Sequence, residues 1–217
     1  MKKLVAIATA SLFLAGTAQA ASYTLTFDQA LACDVPTCGS GNLLSQNYGD
    51  VAGIVDITYV NVNSTTPLGL VWWDINYNDL KGVAWANGSD ASSHARIEIK
   101  PSNDGDSVVL NSMDFGAYID TTRGTNIRVT AIGGGATLFS YTGDVGSGST
   151  THNTFSPNVS SPTGLWIDWY DSAYNVGIDN VNFSITAVPE PETYAMLMAG
   201  LGLLGFTARR RKQKLLV

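Results

Sequence analysis

The feature that most constrains the fold is a succession of short apolar runs separated by clusters of Gly, Asn, Asp and Ser. Such clusters supply the residues that tight turns require. In residues 96–100 two isoleucines alternate with charged side chains, so one face of the run is suited to a core and the other to water. No convincing amphipathic helix interrupts the middle of the chain. The pattern predicts an all-β domain of about nine or ten short strands, folded as a two-sheet sandwich.

The predicted strands share a richness in β-branched and aromatic residues, and they cover residues 23–27, 51–60, 70–75, 95–100, 107–110, 115–119, 127–132, 136–141, 165–170 and 181–186. The longest turn-rich tract, residues 142–163, lies between the predicted strands 136–141 and 165–170. We interpret it as a surface loop of one sandwich rather than a linker, because strand character resumes at Leu165 and nothing after it could form a second core.

The N-terminus has the three parts of a secretory signal peptide. Lys2 and Lys3 form a positive region, residues 4–16 are apolar, and Ala18-Gln19-Ala20 supplies the small-x-small pattern for cleavage. We expect signal peptidase to remove residues 1–20 and the mature chain to begin at Ala21.

The C-terminus also has three parts in a fixed order. Val188-Pro189-Glu190-Pro191 cannot be helical, because proline lacks an N–H and restricts the residue before it. An apolar segment, about residues 194–208, follows, and the basic tail 209–217 begins with Arg209-Arg210-Arg211. A helix of fifteen residues is about 22 Å long, short of a hydrocarbon core of roughly 30 Å, so by length alone it could be a core helix. The adjacent basic cluster favours one transmembrane helix with a cytoplasmic tail and an external domain.

This arrangement resembles the PEP-CTERM sorting signal of Gram-negative bacteria. The residues that carry the resemblance are Val188, Pro189, Glu190 and Pro191, the Gly-rich helix 195–206, and Arg209, Arg210 and Arg211. The resemblance implies recognition and processing by an exosortase, an integral-membrane peptidase. It also implies anchoring in the inner membrane before processing, and then release to the cell surface or the extracellular matrix of a biofilm. It assigns a destination and no activity.

The predicted domains are therefore the signal peptide 1–20, a β-sandwich 21–187 and the sorting signal 188–217. Residues 21–188 contain five basic and sixteen acidic side chains, a net charge of −11 that the basic ends partly conceal. Such a domain repels a phosphate backbone, which argues against a nucleic-acid partner.

The two cysteines of the domain, Cys33 and Cys38, are separated by four residues. In an oxidising compartment they are expected to form a disulfide.

The closing stretch, residues 174–184, resembles the final strand of jelly-roll domains of the galactose-binding or carbohydrate-binding-module type. In those domains an opening strand, here residues 25–28, pairs with a closing I-D-N-V-x-F strand. The resemblance implies a jelly-roll sandwich and often a structural calcium ion near the paired ends. Asp28 and Asp179 are the matching positions for calcium; their alternative role is in a strand end and a turn or bulge. No other cofactor is expected.

Four aromatic residues are candidates for contact with a polysaccharide: Trp72, Trp73, Trp166 and Tyr170. Sugar C–H faces stack on aromatic rings, and neighbouring Asp and Asn side chains can bind hydroxyl groups. Trp72 and Trp73 are adjacent on a predicted strand, so one should face outward if the other faces the core. Tryptophans in a sandwich are also common core residues. Exposed tryptophans would favour sugar binding, and five buried ones would favour a structural role.

The sequence favours a non-catalytic protein. Glu98 is the only glutamate of the middle domain, so a glycosidase would need aspartate pairs such as Asp168 and Asp171. His94 and His152 are the only histidines, and neither a G-x-S-x-G elbow nor an H-E-x-x-H motif is present. The expected function is contact with exopolysaccharide at the cell envelope or in the matrix. A purely structural surface protein and a polysaccharide-acting enzyme that uses Asp carboxylates are the alternatives.

Overall fold

The computed structural model describes residues 20–63, 69–88, 92–186 and 196–204. Within these ranges the chain forms twelve strands: β1 (Ala21–Leu25), β2 (Val55–Asn61), β3 (Val71–Trp73), β4 (Val83–Trp85), β5 (His94–Pro101), β6 (Ser107–Ala117), β7 (Arg123–Ala131), β8 (Thr137–Val145), β9 (Asn153–Phe155), β10 (Val159–Ser161), β11 (Leu165–Tyr170) and β12 (Val176–Thr186).

The strands form two antiparallel sheets. The seven-stranded sheet has the order β10-β6-β12-β4-β3, with β1 added beside β12 and β9 beside β6. The five-stranded sheet has the order β2-β5-β11-β7-β8. The opening strand pairs with the closing strand, as the resemblance implies, and Leu25 lies opposite Val181. The all-β sandwich expected from the sequence is therefore present.

The core lies between the inner faces of the two sheets, as alternation along the strands requires. Trp169 of β11 packs edge to face against Phe115 of β6, with ring centroids 5.8 Å apart. Ile97 and Ile99 of β5 are fully buried, while the charged residues between them face outward. The predicted division of residues 96–100 into an apolar and a charged face is thus confirmed.

Three strand predictions need correction. Residues 107–110 and 115–119 belong to one strand, β6, which ends at Ala117. A register shift against β12 moves Leu110 and Met113 onto the same buried face, and this breaks the simple alternation. Strand β4 was not predicted, because Val83–Trp85 is only three residues long. The tract 142–163, predicted to be a loop, contains the short edge strands β9 and β10.

The two ends of the chain lie largely outside this description. The predicted signal peptide falls on residues 1–20, of which only Ala20 is described. Val188, Pro189, Glu190, Pro191, Arg209, Arg210 and Arg211 also lie outside the described residues. Residues 196–204, inside the predicted apolar helix 194–208, are helical. Among the described residues, no helix has the length and apolar character needed to cross a bilayer.

Candidate functional site

The outer face of the five-stranded sheet is organised around its central strand, β11. Alternation sends Leu165, Ile167 and Trp169 into the core and turns Trp166, Asp168 and Tyr170 to the outer face. Because β11 pairs with β5 on one side and β7 on the other, each outward residue has two cross-strand neighbours. The resulting surface, which we call the β11 face, consists of His94, Arg96, Glu98, Arg128, Trp166, Asp168 and Tyr170.

Asp168 is the centre of the β11 face. Its side chain is fully buried although it points away from the core, because neighbouring side chains cover it. Arg96 Nε donates to Asp168 Oδ1 over 2.9 Å, and His94 Nε2 lies 2.7 Å from the same oxygen. Burial raises the pKa of the Asp168 carboxyl, but hydrogen bonds from His94 and Arg96 and their charges outweigh burial and lower the pKa overall. Asp168 is therefore a carboxylate that fixes the position of a guanidinium.

The two aromatic residues of the β11 face, Trp166 and Tyr170, contact polar side chains of the neighbouring strands. The Trp166 indole Nε1 donates to Glu98 Oε2 over 2.7 Å, and the Arg96 guanidinium lies 4.1 Å from the Trp166 ring centroid. The Tyr170 ring is 5.4 Å from the His94 ring. Arg128 lies 5.7 Å from the Tyr170 ring. Trp166 and Tyr170 are half-buried, so part of each ring remains accessible to a ligand.

The structure thus brings Trp166 and Tyr170 together and separates Trp72 from Trp73. Trp72 is 1% exposed and donates its indole N–H to the Phe27 carbonyl over 2.7 Å. The prediction that Trp72 contacts a sugar is wrong, because alternation places it in the core. Trp73, the next residue, faces outward as expected and is half-buried.

Trp73 belongs to a second aromatic surface, on the outer face of the seven-stranded sheet. This aromatic cluster consists of Trp73, Tyr77, Trp85, Tyr118 and Tyr174; Tyr77 and Trp85 are buried in a small apolar core, and Trp73 and Tyr118 pack against it half-buried. Trp73 contacts Trp85 and Tyr118 edge to face, with centroids 5.8 and 5.7 Å apart. Trp85 contacts Tyr174 at 5.1 Å and Tyr77 contacts Tyr118 at 5.2 Å. The sequence did not identify Trp85 or the tyrosines, because three separate connections of the chain bring them together.

The aromatic cluster is open to solvent at its margin. Ile119 is 62% exposed, Ile75 is 50% exposed and the Tyr174 ring is 36% exposed. Two polar atoms, Trp85 Nε1 of this cluster and Asp120 Oδ1, are buried without a hydrogen-bond partner within the described part of the chain. Such an unpaired donor or acceptor costs about 1–3 kcal/mol of stability.

Asp28 and Asp179, the residues predicted to bind calcium, lie in different surroundings. Asp28 is exposed, and its Oδ1 accepts a hydrogen bond from the Ala30 amide over 2.8 Å, as in a turn. Asp179 is only 4% exposed and lies opposite Asp114 across β12 and β6. Among the described residues, no group of three or more acidic, His or Cys side chains is arranged to hold a metal ion.

Asp179 and Asp114 instead form a buried pair of carboxyl groups. Burial and the nearby Asp114 charge raise the pKa of Asp179 to about 8, although a hydrogen bond from the Asn180 amide opposes this shift. Asp114 accepts hydrogen bonds from Thr154 Oγ1 over 2.6 Å and from Asn180 Nδ2 over 3.0 Å. The pair was not anticipated from the sequence, because the two residues are far apart along the chain and only strand register places them side by side.

His152 links this pair to the turn between β3 and β4. Its Nδ1 lies 2.8 Å from Asp79 Oδ1, and its Nε2 lies 3.6 Å from Asp114 Oδ2. The backbone amide of His152 also donates to Asp79 Oδ1 over 3.0 Å. The histidine therefore fastens the segment before β9 to the outer side of the seven-stranded sheet.

Cys33 and Cys38 are joined by a disulfide in the structure, with Cα atoms 5.5 Å apart. The loop that the disulfide closes lies between β1 and β2. Cys38 is almost fully buried, and its amide donates to the Gln29 carbonyl. Both cysteines belong to the buried core, so the disulfide constrains the shape of this loop where it packs on the sandwich.

Comparison with known families identifies the C-terminal segment. Residues 187–212 match the PEP-CTERM protein-sorting motif, which confirms the resemblance drawn from the sequence and implies an exported, exosortase-sorted protein. The match covers the C-terminal segment and leaves the sandwich unassigned. No curated protein matches the chain in sequence.

Solved structures similar to this chain include carbohydrate-binding modules and glycosidases. A CBM4 structure is 12% identical, with 62% of this chain and 84% of that chain covered and a TM-score of 0.30. An exo-β-1,3-galactanase from Phanerochaete chrysosporium is 12% identical over 68% of this chain, with a TM-score of 0.33. A GH26-CBM35 β-(1,4)-mannanase from Podospora anserina is 14% identical over 79%, with a TM-score of 0.32. The chain spans 29% of the length of each of these two enzymes. At these identities and TM-scores the similarities carry no argument about a ligand.

Proposed function

We propose that this chain is an exported, non-catalytic protein of the cell envelope or extracellular matrix that contacts exopolysaccharide through the β11 face. Signal peptidase removes residues 1–20, the C-terminal segment holds the chain in the inner membrane, and an exosortase then processes it. The sandwich, of the jelly-roll class, reaches the cell surface or the biofilm matrix. The sorting motif at residues 187–212 supports the route, and the β11 face supports the contact.

The observation that carries the contact is the placement of Trp166 and Tyr170 on the same outward face of β11, four positions apart with Asp168 between them. Four residues of a strand span roughly 13 Å, so both rings can meet one extended saccharide chain. Beside them on β5 lie Glu98, His94 and Arg96. Their oxygen and nitrogen atoms can form hydrogen bonds with sugar hydroxyl groups. Because the Asp168 carboxylate and the Glu98 hydrogen bond fix these side chains, little conformational entropy would be lost on binding.

Non-catalytic action is favoured by the state of the carboxyl groups. A glycosidase needs one carboxylic acid with a raised pKa that can reach the scissile bond. Burial raises the pKa of Asp168, but hydrogen bonds from His94 and Arg96 outweigh it and lower the pKa, so this carboxylate is unsuited to donate a proton. Asp179 has a raised pKa but is 4% exposed, which keeps a glycosidic oxygen away from it.

We also propose that a structural calcium ion binds at Asp28 and Asp179. Calorimetric titration of Ca²⁺ into the native protein and into an Asp28→Asn variant tests this proposal.

The sorting half of the proposal is tested by localisation and intact mass. The native chain is compared with a variant that carries Pro189→Ala, Glu190→Ala and Pro191→Ala. We expect native protein to begin at Ala21, to lose its tail and to appear outside the cell, while the variant stays in the inner membrane with its tail. Native protein that keeps its tail in the membrane would contradict exosortase processing.

The binding half is tested by affinity electrophoresis in gels that contain barley mixed-linkage β-glucan, galactomannan, alginate or the exopolysaccharide of the producing strain. Native protein should be retarded by at least one polymer. A Trp166→Ala, Tyr170→Ala double variant should lose most of that retardation. The matched control is Tyr141→Ala on β8, whose ring packs on Phe155 with centroids 4.7 Å apart rather than on the β11 face. Native mobility that no polymer changes would favour the purely structural alternative.

A further inference from the structure

Arg128 on the β11 face has a guanidinium group without an ionic partner. It lies on β7 opposite Asp168 of β11, and the two side chains form no ion pair in the described structure. The Asp168 oxygens lie instead within hydrogen-bonding distance of Arg96, at 2.9 and 3.4 Å, and of His94, at 2.7 Å. Within the described residues, the Arg128 guanidinium contacts only the Tyr170 ring, 5.7 Å from the ring centroid. The positive charge of Arg128 is therefore left unpaired.

The terminal nitrogens of the Arg128 guanidinium are open to solvent. Its Nε is buried and has no hydrogen-bond partner in the described ranges, so a ligand does not reach that atom. Nη1 and Nη2 are not buried, and they have no hydrogen-bond partner in the described part of the chain either. These two nitrogens lie in one plane and can donate side by side, which is the geometry that binds both oxygens of a carboxylate. The β11 face thus presents an unused pair of charged donors.

Strand register places Arg128 between the two rings that we propose as sugar contacts. Trp166 and Tyr170 lie four positions apart on β11. Arg128 lies opposite Asp168, the residue midway between them. Neighbouring strands are about 4.8 Å apart, so a saccharide chain that follows β11 over both rings passes beside the guanidinium. A carboxylate projects from the edge of a sugar ring, where it can meet Arg128 while the face of that ring stacks on Tyr170.

The charge of the surrounding face is compatible with an anionic group. The outward side chains of β2, β5, β7, β8 and β11 include three of the five basic residues of the middle domain and four of its sixteen acidic ones. They are Arg96, Lys100, Arg128, Asp56, Glu98, Asp144 and Asp168. These side chains therefore account for only one of the eleven excess negative charges of residues 21–188. The repulsion of anions by the domain arises mainly elsewhere and is screened over distance by salt.

We infer that the β11 face selects acidic polysaccharides, and that Arg128 binds the carboxylate of a uronic acid residue in the saccharide chain. This inference rests on the proposed function, because it takes Trp166 and Tyr170 as the ring contacts. It names a substrate class that the rings leave open, since an aromatic ring stacks on neutral and acidic sugars alike. Tyr170 also helps to hold the guanidinium in place through their cation–π contact.

The test compares acidic saccharides with the same saccharides after their carboxyl groups have been reduced to primary alcohols. Hexasaccharides of polygalacturonate and of alginate, and oligosaccharides from the exopolysaccharide of the producing strain, are titrated calorimetrically into native protein in both forms. We expect at least one acidic saccharide to bind about tenfold or more tightly than its reduced form. The reason is that a hydrogen bond between charged groups contributes more than one to a hydroxyl group.

Variants of Arg128 connect this preference to one side chain. Arg128→Gln should weaken binding of the acidic form about tenfold or more and leave binding of the reduced form nearly unchanged. Arg128→Lys keeps the charge but loses the paired donors, so it should recover only part of the preference. Lys81→Gln, an exposed change in the turn between β3 and β4, removes the same charge and should keep the native preference. Thermal unfolding establishes that each variant is folded.

The outcomes distinguish the inference from the proposed function. Native protein that binds saccharides but binds the acidic and reduced forms equally would overturn selection of acidic chains and leave the proposed function in place. Equal weakening by Arg128→Gln and Lys81→Gln would also overturn the inference, because the preference would then reflect overall charge. Dextran sulfate that binds as tightly, with the same dependence on Arg128, would overturn carboxylate recognition in favour of general anion binding. No binding of any saccharide, acidic or neutral, would overturn both.

Discussion

The two outer faces of the sandwich shift the pKa of a buried aspartate in opposite directions. Asp168 on β11 is fully buried and hydrogen-bonded to His94 and Arg96, and the pKa of its carboxyl is lowered. Asp179 on β12 is 4% exposed and lies opposite Asp114, and its pKa is raised to about 8. Both residues are aspartates in the middle of a central strand. Burial raises the pKa of both carboxyls, and the difference shows that the cross-strand neighbours decide whether that rise is overcome.

The same contrast extends to the aromatic residues. On the β11 face each ring contacts a charged side chain, such as Arg96 on Trp166. In the aromatic cluster the rings contact one another, and Trp85 Nε1 has no partner among the described residues. One surface is therefore stabilised by electrostatic contacts that depend on pH and salt, and the other by apolar contacts that do not.

The largest effect is expected from Asp179→Asn at alkaline pH. Because the folded pKa of about 8 exceeds the unfolded value near 3.8, the folded state binds more protons between these pH values. The free energy of unfolding of the native protein should fall as pH rises from about 4 to about 8, by at most about 1.4 kcal/mol for each pH unit. The free energy of unfolding of the Asp179→Asn variant should not show this fall, and at pH 9 the variant should be more stable than native protein. Urea unfolding at several pH values is the measurement. Coinciding profiles would show that Asp179 is not held protonated.

The next largest effect is expected from Asp168→Ala. Removal of the carboxylate leaves Arg96 and His94 without their buried partner, which should lower the free energy of unfolding at pH 7 by about 3 kcal/mol. Because the folded pKa of Asp168 is lowered, the stabilisation is present above pH 4 and lost as pH falls through the folded pKa. Asp144→Ala, an exposed aspartate on β8, is the control and should change stability by less than about 0.5 kcal/mol. Equal effects of the two changes would show that the pairing of Asp168 with Arg96 and His94 does not stabilise the fold.

A smaller difference is expected between Trp73→Ala and Trp166→Ala. Each removes a half-buried indole, and each should cost about 2 kcal/mol. Loss of Trp166 also frees the Glu98 carboxylate and the Arg96 guanidinium, so its effect should shrink in 1 M NaCl. The effect of Trp73→Ala should not depend on salt. Thermal unfolding at low and high salt makes the measurement, and the same salt response for both variants would contradict the contrast.

The smallest effect is expected from Glu98→Gln. The amide oxygen can still accept the Trp166 indole N–H, so only the charge assistance of that hydrogen bond is lost. The expected change in the free energy of unfolding is below about 1 kcal/mol, and the Trp166 fluorescence maximum should stay in place. Glu98→Ala is the matched change that removes the acceptor, and it should shift the maximum.

The sequence determined the all-β class, the alternation of β5 and β11 and the sorting motif, because each depends on residues that are near one another along the chain. The alternation also placed Trp166 and Tyr170 on one side of a strand and Trp72 and Trp73 on opposite sides. It could not say which side is the core, and Trp72 proved to be the buried residue.

Only the tertiary structure decided the environments of the candidate residues. Asp168 meets Arg96 because β5 pairs with β11, and Asp179 meets Asp114 because β6 pairs with β12. Trp85 joins Trp73 and Tyr174 because a hairpin and a distant connection end at the same side of the seven-stranded sheet. Strand register is a long-range property, since it balances burial over a whole sheet. Charge state, burial and the pairing of aromatic rings all depend on that register, and a local pattern of residues does not contain it.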